Sequence, residues 1–129
     1  MIVADTNAVI YLTLGGEFVD AACRWFRADP EWAAPLLWRS EFRNALATQL
    51  RRGRLELAEA LHRLREAERI FADREFAAPS DSVLRLAAAS GCSAYDCEFV
   101  AVAMELGARL VTQDAQVLKA FPKVAVRLA

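Results

Sequence analysis

The 129-residue chain is poor in lysine, with 2 against 14 arginines, and it holds a single histidine, His62. Sixteen basic against seventeen acidic side chains leave a net charge of −1, so no global basic field marks a general nucleic-acid binder. Cys23, Cys92 and Cys97 are odd in number and lack metal-ligand spacing. They read as reduced thiols of a cytoplasmic protein, not as a disulfide frame. No apolar run reaches the roughly 18 residues a bilayer span requires. The opening Met1-Ile2-Val3-Ala4-Asp5 carries neither a basic n-region nor a cleavable apolar stretch, so no secretory signal is expected. Only five glycines occur and none builds a phosphate loop; Gly15-Gly16 reads as a turn. His62 lies mid-helix between charged neighbours without an orienting partner, so it reads as solvent-facing. These absences exclude a membrane protein, a disulfide scaffold and a P-loop enzyme.

What is present is core material: 56% of residues are hydrophobic, enough for one domain spanning residues 1–129. Ile2 to Ala4 is a short apolar run that ends at Asp5-Thr6-Asn7, a buried strand meeting a turn or helix start. Helical spacing follows over Glu17–Ala28, then a strand over Trp32–Ala34 closed by Pro35. A helix over Leu36–Arg52 is predicted to bury Leu37, Ala45, Leu46 and Leu50. A third, over Leu55–Phe71, has an apolar stripe of Leu57, Leu61, Leu64 and Phe71 and a charged face on which Glu59 and Arg63 sit four apart. Phe76 to Pro79 is ambiguous. Ser80–Ser90 is helical up to Gly91, and Ser93 caps a helix over Ala94–Leu106 that stops at Gly107. Arg109–Thr112 is a strand, Asp114–Phe121 a short helix and Val124–Val126 a last strand. Apolar strands alternating with helices predict an α/β fold with a parallel sheet. Trp25, Trp32 and Trp38 read as core or interface residues, and Cys92 and Cys97 as small buried hydrophobes.

The positions of four acids are more informative than their number. Asp5 ends the first strand, and Asp114 follows the Arg109–Thr112 strand. Both therefore fall at the carboxyl edge of a parallel sheet, where ligands bind. Asp96 lies in the first turn of the helix capped by Ser93. Glu41 lies one turn into the Leu36 helix, with Arg39 and Arg43 on either side in sequence. If the four converge, they make an oxygen-only pocket that requires cations, and Mg²⁺ or Mn²⁺ prefers such ligands. Each acid also has an ordinary explanation: Asp5 and Asp114 as helix N-caps, Asp96 as part of a capping box, Glu41 as an exposed helical acid.

The residues around these acids carry a resemblance. Val3-Ala4-Asp5-Thr6-Asn7-Ala8-Val9-Ile10-Tyr11-Leu12 resembles the opening of PIN-domain nucleases, specifically the VapC-like toxins. Ser40-Glu41-Phe42-Arg43-Asn44-Ala45-Leu46 resembles that family's second acidic motif. Ala94-Tyr95-Asp96-Cys97-Glu98-Phe99-Val100-Ala101-Val102-Ala103, with Leu106-Gly107 beyond, resembles the third. Leu110-Val111-Thr112-Gln113-Asp114 matches the fourth, and Phe121-Pro122 recurs at the entry to the last strand. The resemblance spans nearly the whole chain. It implies a PIN-like five-stranded parallel sheet of order 3-2-1-4-5 with helices on both faces, metal-dependent RNA cleavage, a VapB-like antitoxin partner and a homodimer. It places Asp5, Glu41, Asp96 and Asp114 at the acidic positions, with Asn7 and Thr112 supporting them by hydrogen bonds. Cys97 and Glu98 depart from the small residues common there, so Glu98 either points outward or adds a fifth acid.

The chemistry the resemblance implies for these residues is hydrolysis of single-stranded RNA by a water activated on one or two Mg²⁺ ions, with Arg39 and Arg43 holding flanking phosphates. A helix of the antitoxin is expected in an apolar groove of the Leu36–Phe71 helices that includes Leu36, Leu37, Trp38 and Phe42, with an arginine of its tail among the acids. Two alternatives stand beside this: a PIN nuclease of RNA processing that is not a toxin, and a phospho-receiver signalling module. The second requires paired acids after the first strand, a mid-sheet aspartate and a late lysine. Asp5 has no acidic neighbour, no aspartate occurs between Asp29 and Asp73, and Lys119 and Lys123 are the only lysines.

Overall fold

Strands that are apolar at every position have no face to give to water, so they must be covered on both sides. The computed structural model, which describes residues 1–129, does this with twelve elements. In chain order they are β1 (Ile2–Ala4), α1 (Thr6–Leu14), α2 (Val19–Ala28), β2 (Trp32–Pro35), α3 (Leu37–Arg51), α4 (Leu57–Ile70), β3 (Glu75–Phe76), α5 (Ser80–Ser90), α6 (Ala94–Leu106), β4 (Leu110–Thr112), α7 (Ala115–Ala120) and β5 (Ala125–Arg127). The strands form one sheet of order β3-β2-β1-β4-β5, and every pairing is parallel. Right-handed crossovers running outward in two directions from β1 put α1–α4 on one face and α5–α7 on the other. The order and the two-sided cover agree with the expected architecture.

The order of the strands also fixes the edge that matters. Chain direction reverses laterally between β1 and β4, so the segments after these two neighbouring strands diverge to opposite faces. A crevice opens between them at the carboxyl ends. Val3 and Ala4 pair with Leu110 and Val111, which brings Asp5 and Thr112 side by side just beyond.

Small residues set the packing distances. Ala33 and Ala34 in β2 are fully buried, leaving room for the Trp38 ring, which lies 4.6 Å from Phe71 and 5.8 Å from Phe42. On α3 the buried row is therefore Trp38, Phe42 and Leu46 at four-residue spacing. The expected Leu37, Ala45 and Leu50 are half-buried along its flanks. On α4 the buried row is Ala60 and Ala67 with Leu64 packed between them, so the expected stripe is turned: Leu57 and Leu61 are exposed. Alanine on this row lets α4 approach α1 and α3 closely. Trp32 and Trp38 are core residues, Trp25 donates its Nε1–H to the Leu128 carbonyl at 2.9 Å, and Cys92 and Cys97 are buried. His62 is exposed and 3.0 Å from Glu66. No helix is long and apolar enough to cross a membrane.

Candidate functional site

Asp5 occupies the N-cap position of α1, but its side chain makes no capping bond there. It accepts instead a hydrogen bond from Thr112 Oγ1 at 2.7 Å, across the β1–β4 pair. The same Thr112 oxygen accepts the backbone N–H of Asp114 at 3.1 Å. Asp114 in turn caps α7, with Oδ1 accepting the Val117 N–H at 2.9 Å. The capping explanation thus accounts for Asp114 and fails for Asp5.

Glu41 arrives from α3, whose N-terminal end rises over the same edge. It accepts from Thr6 Oγ1 at 2.7 Å. Thr6 is buried at the start of α1, so the residue after Asp5 fixes the second acid. Asn7, expected in that supporting role, is exposed and makes no side-chain hydrogen bond; its neighbour Thr6 does so instead. A buried threonine beside an acidic strand end was the available signal. Asp96 comes from α6, where its backbone N–H donates to Ser93 Oγ at 3.1 Å.

Burial and neighbouring like charges act on these side chains together. Burial raises the Asp5 carboxyl above its ordinary range; the Thr112 hydroxyl and the Thr6 backbone pull it back, while Asp96 and Asp114 push it further up. Glu41 is likewise raised by burial, lowered by Thr6, and raised by Asp5, Asp96 and Glu98. Asp96 is raised by burial and by Asp114, against a Ser93 hydrogen bond. Glu98, also raised by burial, adds to the negative field at Glu41, but two residues from Asp96 on α6 it faces another side of that helix. No basic side chain figures among the influences on Asp5, Glu41 or Asp96.

The two arginines next to Glu41 in sequence do not neighbour it in space. Residues two apart on a helix diverge by about 200°. Glu41 faces α1, whereas Arg39 faces α4 and β3, where its guanidinium binds Glu75 through Nε at 2.6 Å and Nη2 at 2.7 Å. Arg39 also binds Glu68 at 3.1 Å and lies 5.4 Å above the Trp38 ring. These bonds raise its proton affinity and leave no free fork for a phosphate. Arg43 is turned back onto the Arg39 carbonyl and Ser40 Oγ, on the flank away from Glu41. The expected phosphate contacts of Arg39 and Arg43 at the acidic edge are therefore not built.

The donors available to a metal are carboxylate and hydroxyl oxygens, the set that hard divalent cations take. As they stand, no three of the acids come together closely enough to ligate one ion directly. The uncompensated charge on Asp5, Glu41 and Asp96 nevertheless suits a cation that keeps part of its water shell. Asp5, Asp96 and Asp114 are the residues that could hold it, with Glu41 reaching it directly or through water.

Comparison with known proteins decides the family. The PIN domain family model matches residues 2–125. The chain belongs to the PIN domain family. The crystal structure of PAE2754 from Pyrobaculum aerophilum superposes with a TM-score of 0.77 at 30% identity, covering 98% of this chain and 90% of that one. FitAcB from Neisseria gonorrhoeae gives 0.77 at 18% identity over 99% and 98% of the two chains. A toxin–antitoxin complex from Klebsiella pneumoniae gives 0.71 at 18% over 100% and 98%. Among curated proteins none matches. Membership removes the phospho-receiver alternative and makes this a nuclease fold, so the acidic edge of the PIN domain is the place to look for its chemistry.

Proposed function

We propose that this PIN domain is a divalent-metal-dependent endoribonuclease and the toxin of a VapC-type toxin–antitoxin pair, cleaving single-stranded RNA. The observation that carries the reading is the set of hydrogen bonds that holds Asp5 by Thr112, Glu41 by Thr6 and the first turn of α6 bearing Asp96 by Ser93, at one carboxyl edge. Acids gathered at one edge cost stability unless a cation uses them. Similarity to a Klebsiella toxin–antitoxin complex and to FitAcB supports the toxin assignment.

When bound, Mg²⁺ or Mn²⁺ supplies Lewis acidity, lowering the pKa of the attacking water and offsetting charge on the scissile phosphate. The residues of the chain do the positioning. Thr112 holds the Asp5 carboxylate at the centre of the edge, and Thr6 holds Glu41 toward it. The Ser93 cap fixes the first turn of α6 and with it Asp96. Capping α7 leaves Asp114 one oxygen, Oδ2, for the site.

A VapB-like antitoxin is the proposed partner and a homodimer the proposed assembly. Trp38 and Phe42 are buried in the core and cannot line a groove for it. The seat proposed for a partner helix is the mixed groove lined by Ile10, Leu14, Ala45, Gln49, Arg54 and Leu55, between α1 and the α3–α4 pair.

The test is cleavage of a single-stranded RNA by purified protein with Mg²⁺ or Mn²⁺, with EDTA, and with Asp5→Asn and Asp96→Asn. Activity that needs the metal and both aspartates, and leaves double-stranded DNA largely intact, is expected. Cleavage at the same rate in EDTA would overturn the proposal.

A further inference from the structure

An acidic edge repels the phosphates it must hold, so a nuclease site of this kind needs a cation from the protein beside it. Neither arginine bracketing Glu41 serves, for the reasons given above. The sheet offers another. Thr112 pairs in parallel register with Arg127, the last residue of β5. Side chains at paired positions of neighbouring parallel strands project to the same side of the sheet. Thr112 projects onto Asp5, as its 2.7 Å hydrogen bond shows. Asp5, Thr112 and Arg127 therefore form one lateral row across β1, β4 and β5 at the carboxyl edge. The row places Arg127 roughly two strand spacings, about 10 Å, from Asp5.

Arg127 is exposed and makes no ion pair. Its backbone, by contrast, is firmly placed. The Leu128 N–H donates to the Thr112 carbonyl at 2.9 Å, and the Ala129 N–H donates to Gln113 Oε1 at 3.1 Å. The Leu128 carbonyl accepts the Trp25 indole N–H at 2.9 Å, and the Leu128 side chain is buried on the opposite side of the strand. A guanidinium on a fixed base, free of carboxylates and level with the acids, has the chemistry of a phosphate clamp.

We propose that Arg127 is a substrate-binding residue that grips a backbone phosphate of a single-stranded nucleic acid next to the phosphate being cut. The inference rests on the nuclease reading above, and it adds the direction in which the strand leaves the site: outward over β4 and β5. Guanidinium binding contributes equally before and during bond cleavage, so it acts on substrate affinity and leaves the chemical step alone.

The experiment compares wild type, Arg127→Ala and Arg127→Lys on a short single-stranded RNA. Binding is measured in EDTA and cleavage in Mg²⁺, each across a salt series. Arg127→Ala should raise KM and the EDTA dissociation constant by about tenfold, keep kcat within about twofold, and lower the salt slope by about one phosphate. Arg127→Lys should recover part of the affinity. RNA carrying one neutral methylphosphonate beside the cut should bind wild type and Arg127→Ala equally, which a merely structural role would not produce. Cleavage and binding by Arg127→Ala indistinguishable from wild type overturn the clamp while the nuclease reading stands. If no protein cleaves but binding in EDTA still falls with Arg127→Ala and the salt slope drops by about one phosphate, the nuclease reading falls and a phosphate contact at Arg127 stands without it.

Discussion

Thr112 joins Asp5 across the central strand pair by a hydroxyl-to-carboxylate bond of 2.7 Å, and the same oxygen receives the Asp114 N–H at 3.1 Å. One buried side chain thus serves two of the four acids. Thr112→Val keeps the shape and removes both the donor and the acceptor. The variant should lose about 1–3 kcal/mol of stability. The Asp5 carboxyl should titrate higher still, because the bond that lowers it is gone. Carboxyl NMR titration of both proteins checks this, and an unmoved Asp5 would contradict the role given to Thr112.

The acidic edge also predicts how stability depends on pH. Asp5, Glu41 and Asp96 are raised above ordinary values of 3.8, 4.5 and 3.8, so the folded protein holds protons that the unfolded chain releases. These groups cost stability near neutral pH, and the cost is relieved as pH falls through their raised values. Asp29 and Glu75 are lowered by the N-terminal amine and by Arg39, so the stability they contribute is lost only further down, as pH falls from their ordinary range through their lowered values. The metal-free melting temperature should therefore rise on mild acidification and then fall. Asp5→Asn should flatten the rise and leave the fall. Melts in EDTA from neutral to acidic pH check the sign.

Glu75 receives two guanidinium bonds from Arg39 and an indole bond from Trp38 at 2.8 Å, tying the two-residue strand β3 to α3. Glu75→Ala leaves Arg39 half-exposed with only Glu68 and orphans a buried indole donor. A loss of about 1–3 kcal/mol is expected. Hydrogen exchange should show β3 opening first, and uniform exchange across the sheet would contradict this.

Ser93→Ala removes the cap of α6. It should cost about 1 kcal/mol and loosen the turn that carries Asp96. Ser93→Asp, which restores the cap but adds a charge beside the cluster, should recover less than Ser93→Thr. Thermal melts of the three variants read this directly.

Sequence revealed most where local chemistry decides structure. Helices α5 and α6 were legible to the residue because Gly91 and Gly107 adopt the left-handed conformation that ends them and Ser93 caps the second. The helix α1 was legible only as a start at Asp5-Thr6-Asn7. Thr6–Leu14 is mostly apolar, without a distinct polar face, and rich in β-branched residues, so it shows no helical face until α2, α3 and α4 surround it. Strand β3 is two residues long and depends on Glu75 and its partners. Strand ends and caps put Asp5, Asp96 and Asp114 at the carboxyl edge, and Glu41 was singled out only by the resemblance of its motif. Of the supporting groups Thr112 was legible and Thr6 was not, because Thr6 lies on α1, whose sequence shows no distinct face; the directions of Arg39 and Arg43 depend on the phase of α3, set by Trp38 and Phe42 in the core.

The central proposal is that Asp5, Glu41, Asp96 and Asp114 place their charge along one edge of the sheet to receive a divalent cation. Thermal melts of wild type, Asp5→Asn and Asp96→Asn, each in EDTA and in excess Mg²⁺, test it most directly. Excess Mg²⁺ should raise the wild-type melting temperature by roughly 3–5 °C and shift the variants far less, and in EDTA both variants should melt above wild type. If Mg²⁺ leaves wild type unmoved and both variants are less stable in EDTA, these aspartates serve only their helices and turns, and the account of the site is wrong.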